Sequence, residues 1–252
     1  MNTLYTVSFS PTGSSLKVAR QIAAAFEAQK AELDLCPPAG PEIQMDGQDA
    51  AIFAVPCYGG RIPPTAAQRL DRVRGRQTPA ILCVTFGNRA FEDALLELAD
   101  RVQANGFRVI AGCAACTEHN IMRVFGRGRP DERDLGEIRD FARRAAQKLE
   151  RGEKSAPTLP GNRPYKAYHA AQMPIQVDGQ TCARCGLCAG KCPVKAISPD
   201  GQQTDPAACI SCMRCVQICP RGSRRIPEAA LNGLIQKLGP ALEGRKENAF
   251  YL

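Results

Sequence analysis

Along the first 150 residues, apolar side chains come in short unbroken runs separated by stretches of helical spacing. TLYTVSF (3–9) is a β-rich run that ends at SPTGSS, and LKVARQIAAAFEAQ then gathers apolar residues at helical intervals, so the chain begins strand, loop, helix. The unit recurs. AELDLC follows as a strand, then AAIFAVP with PTAAQRLDRV, PAILCVTF with AFEDALLELADRVQANG, and FRVIAGC with a helical pattern from Asp131 to about Arg151. The strands are near-continuous apolar runs rather than alternating ones, which predicts a parallel sheet covered on both faces. An α/β, doubly wound, five-stranded parallel sheet over residues 1–152 follows. Residues 153–174, rich in Pro, Gly and polar side chains, have no sustained period and read as a linker or wrapping segment. A Cys-rich stretch occupies 175–226, and residues 227–252 carry a short helical pattern with Pro227 near its start, followed by a tail.

Composition adds two constraints. The 252 residues are 44% hydrophobic and 23% charged, a globular balance, with no run of about 20 apolar residues to span a bilayer. The N-terminus, MNTLYTVSFSPTGSS, lacks the charged start and cleavage site of a secretory signal, so a cytoplasmic location is expected. Thiols stay reduced there, and 13 cysteines therefore point to metal, cluster or redox use rather than disulfides. Five are scattered (Cys36, Cys57, Cys83, Cys113, Cys116), whereas eight fall between Cys182 and Cys219. Residues 161–252 also hold 12 basic against 6 acidic side chains, while 1–160 hold 21 against 19, so two domains are the natural reading.

CARCGLCAGKCP (182–193) and CISCMRCVQICP (209–220) are two copies of CxxCxxCxxxCP, the bacterial run for a pair of iron-sulfur clusters. Three closely spaced thiolates can cap three irons of one cubane, and the fourth, directed away, ligates the other cluster. The expected sets are Cys182, Cys185, Cys188 and Cys219 for one cluster, and Cys209, Cys212, Cys215 and Cys192 for the second. Zinc, the alternative, wants four ligands in two separated pairs, which a doubled four-cysteine run fits poorly. Residues 175–226 resemble a bacterial two-cluster (2x 4Fe-4S) ferredoxin, an α+β fold with an internal repeat. Such ferredoxins are typically acidic, but here Arg221, Arg224 and Arg225 follow the last cysteine. Two clusters carrying about −2 each would reduce the local +6 to roughly +2, so those arginines either offset cluster charge or face an acidic partner.

The SPTGSS loop offers the hydroxyls of Ser10, Thr12, Ser14 and Ser15, with Gly13 letting the backbone approach a ligand. Backbone amides at a helix N-terminus suit a phosphate, although the loop taken alone reads more readily as a simple helix cap. It is neither GxxxxGK[ST] nor GxGxxG, so P-loop and dinucleotide readings fail. PCYGGRIPP (56–64) and TFGNRAFED (85–93) follow the third and fourth strands, where an open α/β sheet carries its ligand crevice. Together the three loops resemble flavodoxin. That resemblance implies FMN, with Ser10, Thr12, Gly13, Ser14 and Ser15 around the phosphate. It puts Pro56, Tyr58, Gly59 and Gly60 on one side of the isoalloxazine and Gly87, Asn88, Arg89 and Phe91 on the other. With no Trp in the chain, Tyr58 is the best remaining stacking ring.

FSPTGSS, PCYGGRIP, FGNRAFEDAL, the TEHN segment, LPGNRPYK and the closing ENAFYL are similar to a family of fused flavodoxin-like and two-cluster ferredoxin proteins, over nearly the whole chain. The resemblance implies FMN plus two 4Fe-4S clusters in one electron-transfer flavoprotein, and no particular substrate. FMN takes one or two electrons and a cluster passes one, so the chain would interconvert the two kinds of step between a low-potential donor protein and an acceptor. A reductase of a quinone or ferric chelate is the second reading; whether the protein is an enzyme in its own right stays open. A cluster-based redox sensor or nucleic-acid binder is the third. The net charge of +8 motivates it, but cofactors would cut that to about +2 and no recognition motif supports it. Cys57 reads as a small buried residue, with a place near the flavin ring as the alternative, and Cys113 and Cys116 as packing residues, with a thioredoxin-like pair or a metal site with His119 as theirs. His119 reads as a loop histidine that could instead serve the flavin with Glu118, and Lys17 as a solvated helix charge that could instead help the phosphate.

Overall fold

The computed structural model describes residues 1–169 and 171–252. Four strands, β1 (Thr3–Ser8), β2 (Gln29–Asp34), β4 (Ala50–Pro56) and β6 (Thr78–Phe86), join β7 (Phe107–Cys116) in parallel. The first pair of helices, α1 (Ser14–Ala23) and α4 (Glu132–Glu150), lies on one face, and α2 (Pro64–Leu70) and α3 (Ala94–Ala104) lie on the other. Across the sheet the order is β2-β1-β4-β6-β7. Counted over the five long strands alone this is 2-1-3-4-5, the flavodoxin-like winding, whose ligand crevice opens beyond the strand C-termini. AAIFAVP and TPAILCVTF lack alternation because both faces are covered, and every residue of β6 is buried. Successive side chains divide between two cores. Val7, Phe53, Leu82 and Leu95 form one layer, with Phe53 edge-on to Phe107 at 4.8 Å, and Leu4, Ile52, Ile81 and Phe141 form the other.

Three short strands depart from the expected five. A parallel pair, β3 (Ile43–Met45) with β5 (Val73–Gly75), flanks the sheet, and β10 (Ala249–Tyr251) adds an antiparallel edge to β7. Three residues are too few to show a period, so neither feature was legible as a strand. The predicted helices hold but are shorter; α1 stops at Ala23, where Ala24 and Ala25 turn the chain and Phe26 enters the core. At the start of α4, Asp131 and Asp134 form a reciprocal capping box.

Residues 153–169 wrap the α3 side of the sheet. Leu159 packs into the first core layer, Asp93 accepts from the amides of Asn162 and Lys166 at 2.8 Å each, and Arg163 pairs with Asp100.

The Cys-rich part is a doubled unit. A two-stranded ladder joins β8 (Gln176–Val177) to β9 (Arg224–Arg225), and an Ile197–Thr204 bridge forms its counterpart. Short turns α5 (Leu187–Gly190) and α6 (Arg214–Gln217) occupy the same place in each run. Backbone conformation repeats with them: φ is positive at Arg184 and Ser211, at Gly186 and Met213, and at Lys195 and Gly222. Last comes α7 (Glu228–Leu242), in which only Gly239 and Leu242 are buried, before the tail returns to the sheet as β10. Among the described residues no helix is long and apolar enough to cross a membrane.

Candidate functional site

The turn between β1 and α1 is built around Gly13, at φ +86°, whose amide bonds the Ser10 carbonyl. A Cβ there would meet nothing within 4 Å, so the space over the loop is open. The Ser10 hydroxyl accepts from the Leu16 amide at 3.0 Å, and the Ser15 hydroxyl pairs with Thr85 at 2.7 Å. Two of the four predicted hydroxyls thus fix the loop. The amides of Ser14 and Ser15, at the positive end of α1, meet no protein acceptor among the described residues. Unsatisfied first-turn amides, two free hydroxyls and open space above Gly13 fit a phosphate.

From this loop a narrow cleft, lined by Ser10, Thr12, Ser14 and Ser15 and by Pro56, Thr85, Gly87 and Thr117, continues into a cavity of about 300 Å³. Cys57, Tyr58 and Asn120 line both. Gly59 and Arg89 border the cavity, while Gly60 and Phe91 line neither space. Phe91 instead packs on Phe86 at 5.5 Å, and a Cβ on Gly60 would collide with Glu92. Asn88 is the clearest departure from its expected role. It is buried, and its amide donates to the carbonyls of Leu242 and Gly244 at 2.6 and 2.8 Å, anchoring the end of α7. Arg89 pairs with Glu92 at 2.7 Å, and Lys166 joins the same carboxylate.

His119 borders the cavity in a defined tautomer. Its Nδ1 accepts from the amides of Ile121 and Met122 at 3.1 Å each, leaving the proton on Nε2. Burial, with the Arg89 charge nearby, lowers its pKa to about 4, so a neutral N–H donor faces the cavity at neutral pH. Glu118 is taken up by Arg123 at 2.5 Å and the Gly128 amide. Cys113 and Cys116 are fully buried on β7, where Cys113 lies beside Cys83 and the Cys116 thiol donates to Asn88 at 3.3 Å, as packing residues would. Burial pushes the Cys57 thiol up to about 12, which leaves it inert as a nucleophile. Lys17 is exposed on α1. The apolar wall that sequence reasoning missed is Leu234, Leu238 and Leu242 of α7. Their spacing of four is the stripe that could have shown it.

None of the eight clustered cysteines is in a disulfide. Cys182, Cys185, Cys188 and Cys219 line one cavity, together with Gly201, Pro220 and Arg224. Cys212 is buried beside Cys215, Cys192 and Cys209, and burial followed by those neighbours pushes its pKa up to about 12. Further donors reach the sulfurs: Gln202 Nε2 to Cys182 at 3.0 Å, and the amides of Ala196 and Ser211 to Cys192 and Cys209 at 3.3 and 3.4 Å.

The two halves of the chain meet at the second of these sets. Ile210 packs on the first core layer, and Ile210 and Ser211 border the same cavity as Cys57, Tyr58 and Gly59. The Arg69 guanidinium donates to the Pro193 carbonyl. Tyr58 borders both spaces, and burial drives its phenol well above its ordinary pKa.

Residues 174–220 match the 4Fe-4S dicluster domain family. The chain joins a flavodoxin-like α/β domain to a 4Fe-4S dicluster domain. No curated protein matches it. Among solved structures it is similar to rubredoxin oxygen:oxidoreductase from the anaerobe Desulfovibrio gigas, at 18% identity and a TM-score of 0.44, over 62% of this chain and 38% of that one. A flavodoxin from the domain Archaea is 12% identical at a TM-score of 0.39, over 59% of this chain and 99% of that one. Azoreductase from Bacillus anthracis str. Sterne is 12% identical at 0.40, over 59% and 100%. This chain spans little more than a third of the first of these proteins. At such TM-scores the likenesses carry no argument, and the flavodoxin-like assignment rests on the strand order.

Proposed function

We propose that the protein is an electron-transfer iron-sulfur flavoprotein that relays electrons between two 4Fe-4S clusters and FMN. The single observation that carries this reading is the shared cavity: Ile210 and Ser211, between Cys209 and Cys212, face the same space as the loops after β4 and β6. A cluster held by Cys209, Cys212, Cys215 and Cys192 would then adjoin the flavin, while one held by Cys182, Cys185, Cys188 and Cys219 would be the outer port. FMN, when bound, supplies both one- and two-electron chemistry, and each cluster supplies one-electron steps. The protein supplies position and electrostatics. The Ser14 and Ser15 amides would bind the phosphate, Tyr58 would cover the ring on the cluster side, and His119 would offer a neutral hydrogen-bond donor. The leucines of α7 would exclude water.

A low-potential redox protein is the donor this arrangement suits, and a second protein or a small molecule the acceptor. One observation favours direct reduction of a small acceptor, namely the cavity itself, bordered by Arg89, Lys166 and the α7 leucines. The test is anaerobic reconstitution of the full chain followed by iron, sulfide and flavin quantitation. The reading predicts about eight irons and one FMN. Eight irons with no retained flavin would refute the relay. Turnover that saturates with a quinone or ferric chelate would establish the reductase reading over the pure carrier.

A further inference from the structure

The doubled unit of the dicluster domain sets equivalent residues at a constant offset, that between Cys182 and Cys209. Val177 thereby corresponds to Thr204, Ile197 to Arg224, and Cys188 to Cys215. The backbone honours the correspondence: Asp178 N donates to Ser223 O and Asp205 N to Ala196 O, both at 2.8 Å. The side chains break it. Where the first repeat buries Ile197, the second buries Arg224, which is only 2% exposed.

Its guanidinium donates to the Gly201 carbonyl at 2.6 Å and to the Thr204 hydroxyl, and it reaches Cys188 Sγ at 3.8 Å. β9, which carries Arg224, packs against α6, which carries Cys215, so Arg224 stands close to both symmetry-related cysteines. Its Nε has no hydrogen-bond partner, and no carboxylate pairs with it among the described residues. A buried cation without an anion is strongly disfavoured in a fold. The nearest sulfur is Cys188 Sγ, and clusters held by the two cysteine sets would supply the missing negative charge.

We propose that Arg224 is a counter-ion shared by the two clusters, a positioning residue that raises both reduction potentials. This rests on the reading that the eight cysteines hold two 4Fe-4S clusters. Each reduction adds one electron and one negative charge with no bond made or broken, and a fixed positive charge at contact distance favours the more negative state. The same cation accounts for one of the basic residues that follow the last cysteine where such domains are usually acidic.

The experiment is an EPR-monitored anaerobic redox titration of the reconstituted full chain, with iron quantified in every sample. Arg224→Gln keeps hydrogen-bond donors without charge, and Arg224→Lys keeps the charge. The double variant Arg224→Ile/Thr204→Val rebuilds the first repeat's apolar pair. The neutral variants should lower both midpoints by at least a tenfold change in the reduction equilibrium, about 59 mV for one electron. Arg224→Lys should stay near wild type. Loss of iron from both neutral variants but not from Arg224→Lys would equally support the counter-ion. Full iron with unchanged midpoints in Arg224→Gln, a Lys variant shifted as far as Gln, or loss of iron from all three would overturn it. Fewer than about eight irons in the wild-type protein would instead defeat the cluster reading beneath it.

Discussion

Replacing Asp134 by alanine should loosen the C-terminal tail and the cavity wall together. Asp134 is fully buried at the start of α4. Its carboxylate accepts from Arg129 Nη2 at 2.5 Å and Nε at 2.9 Å, from Arg245 at 2.8 Å, from Asn248 at 2.9 Å and from the Asp131 amide at 3.0 Å. Arg129 has a side chain just 5% exposed and donates onward to the Lys246 carbonyl at 2.6 Å. The alanine variant therefore strands a buried guanidinium and frees the segment leading to β10. Removing one partner of such a pair costs about 3–5 kcal/mol. For a protein of this size that is a fall in melting temperature of about 6–20 °C. Thermal unfolding measures the total, and amide hydrogen exchange over 242–252 measures the local part, which should lose protection first. A paired Arg129→Met/Asp134→Leu variant, with no charge left unpaired, should recover much of the loss. A loss below about 1 kcal/mol, or a double variant less stable than Asp134→Ala, would show that the buried ion pair does not hold the tail.

Further outcomes follow from the same geometry. Burial raises the Asp134 pKa, but its bonds to Arg129, Asp131 and Asn248 outweigh that and hold it below the ordinary carboxylate value. Its contribution is thus complete above about pH 4 and is lost as pH falls through the folded value, which acid unfolding of wild type against Asp134→Asn would reveal. His119 has a folded pKa of about 4 against an ordinary 6.5, so the unfolded chain binds its proton first as pH falls between them. Stability should drop over that window by on the order of 2–3 kcal/mol, and His119→Gln should flatten the slope. Gly13→Val puts a branched side chain at φ +86°, and flavin affinity should fall at least tenfold with the iron content unchanged. Equilibrium dialysis with FMN and an iron assay measure the two, and equal loss of both would contradict a phosphate role for the loop.

The sheet and the cysteine sets were legible because each rests on a strong local signal. AAIFAVP and PAILCVTF are buried on both faces and so read as unbroken apolar runs, and the doubled CxxCxxCxxxCP is a chemical spacing independent of the fold. The loops after β4 and β6 were legible as positions and less so as side chains. Asn88 follows a strand as a ligand residue would, yet its partners, Leu242 and Gly244, come from the far end of the chain. The same long-range origin hid the cavity's third wall. Ile210 belongs to one half, Tyr58 to the other and Leu238 to the tail, and no pattern within one segment announces that they share a space. The buried position of Arg224 was hidden likewise, since a charged residue after a cluster motif reads as solvated until its exposure is known.

In the proposed relay, electrons pass between flavin and clusters through the cysteine set that borders the cavity. A single-turnover experiment on the anaerobically reconstituted full chain, following flavin bleaching by a reduced low-potential donor, tests it most directly. Cys212→Ser, in the set next to Tyr58, should abolish rapid flavin reduction even where the outer cluster still accepts electrons. Flavin that bleaches at the wild-type rate in Cys212→Ser, with FMN bound and the inner cluster lost, would rule out this route.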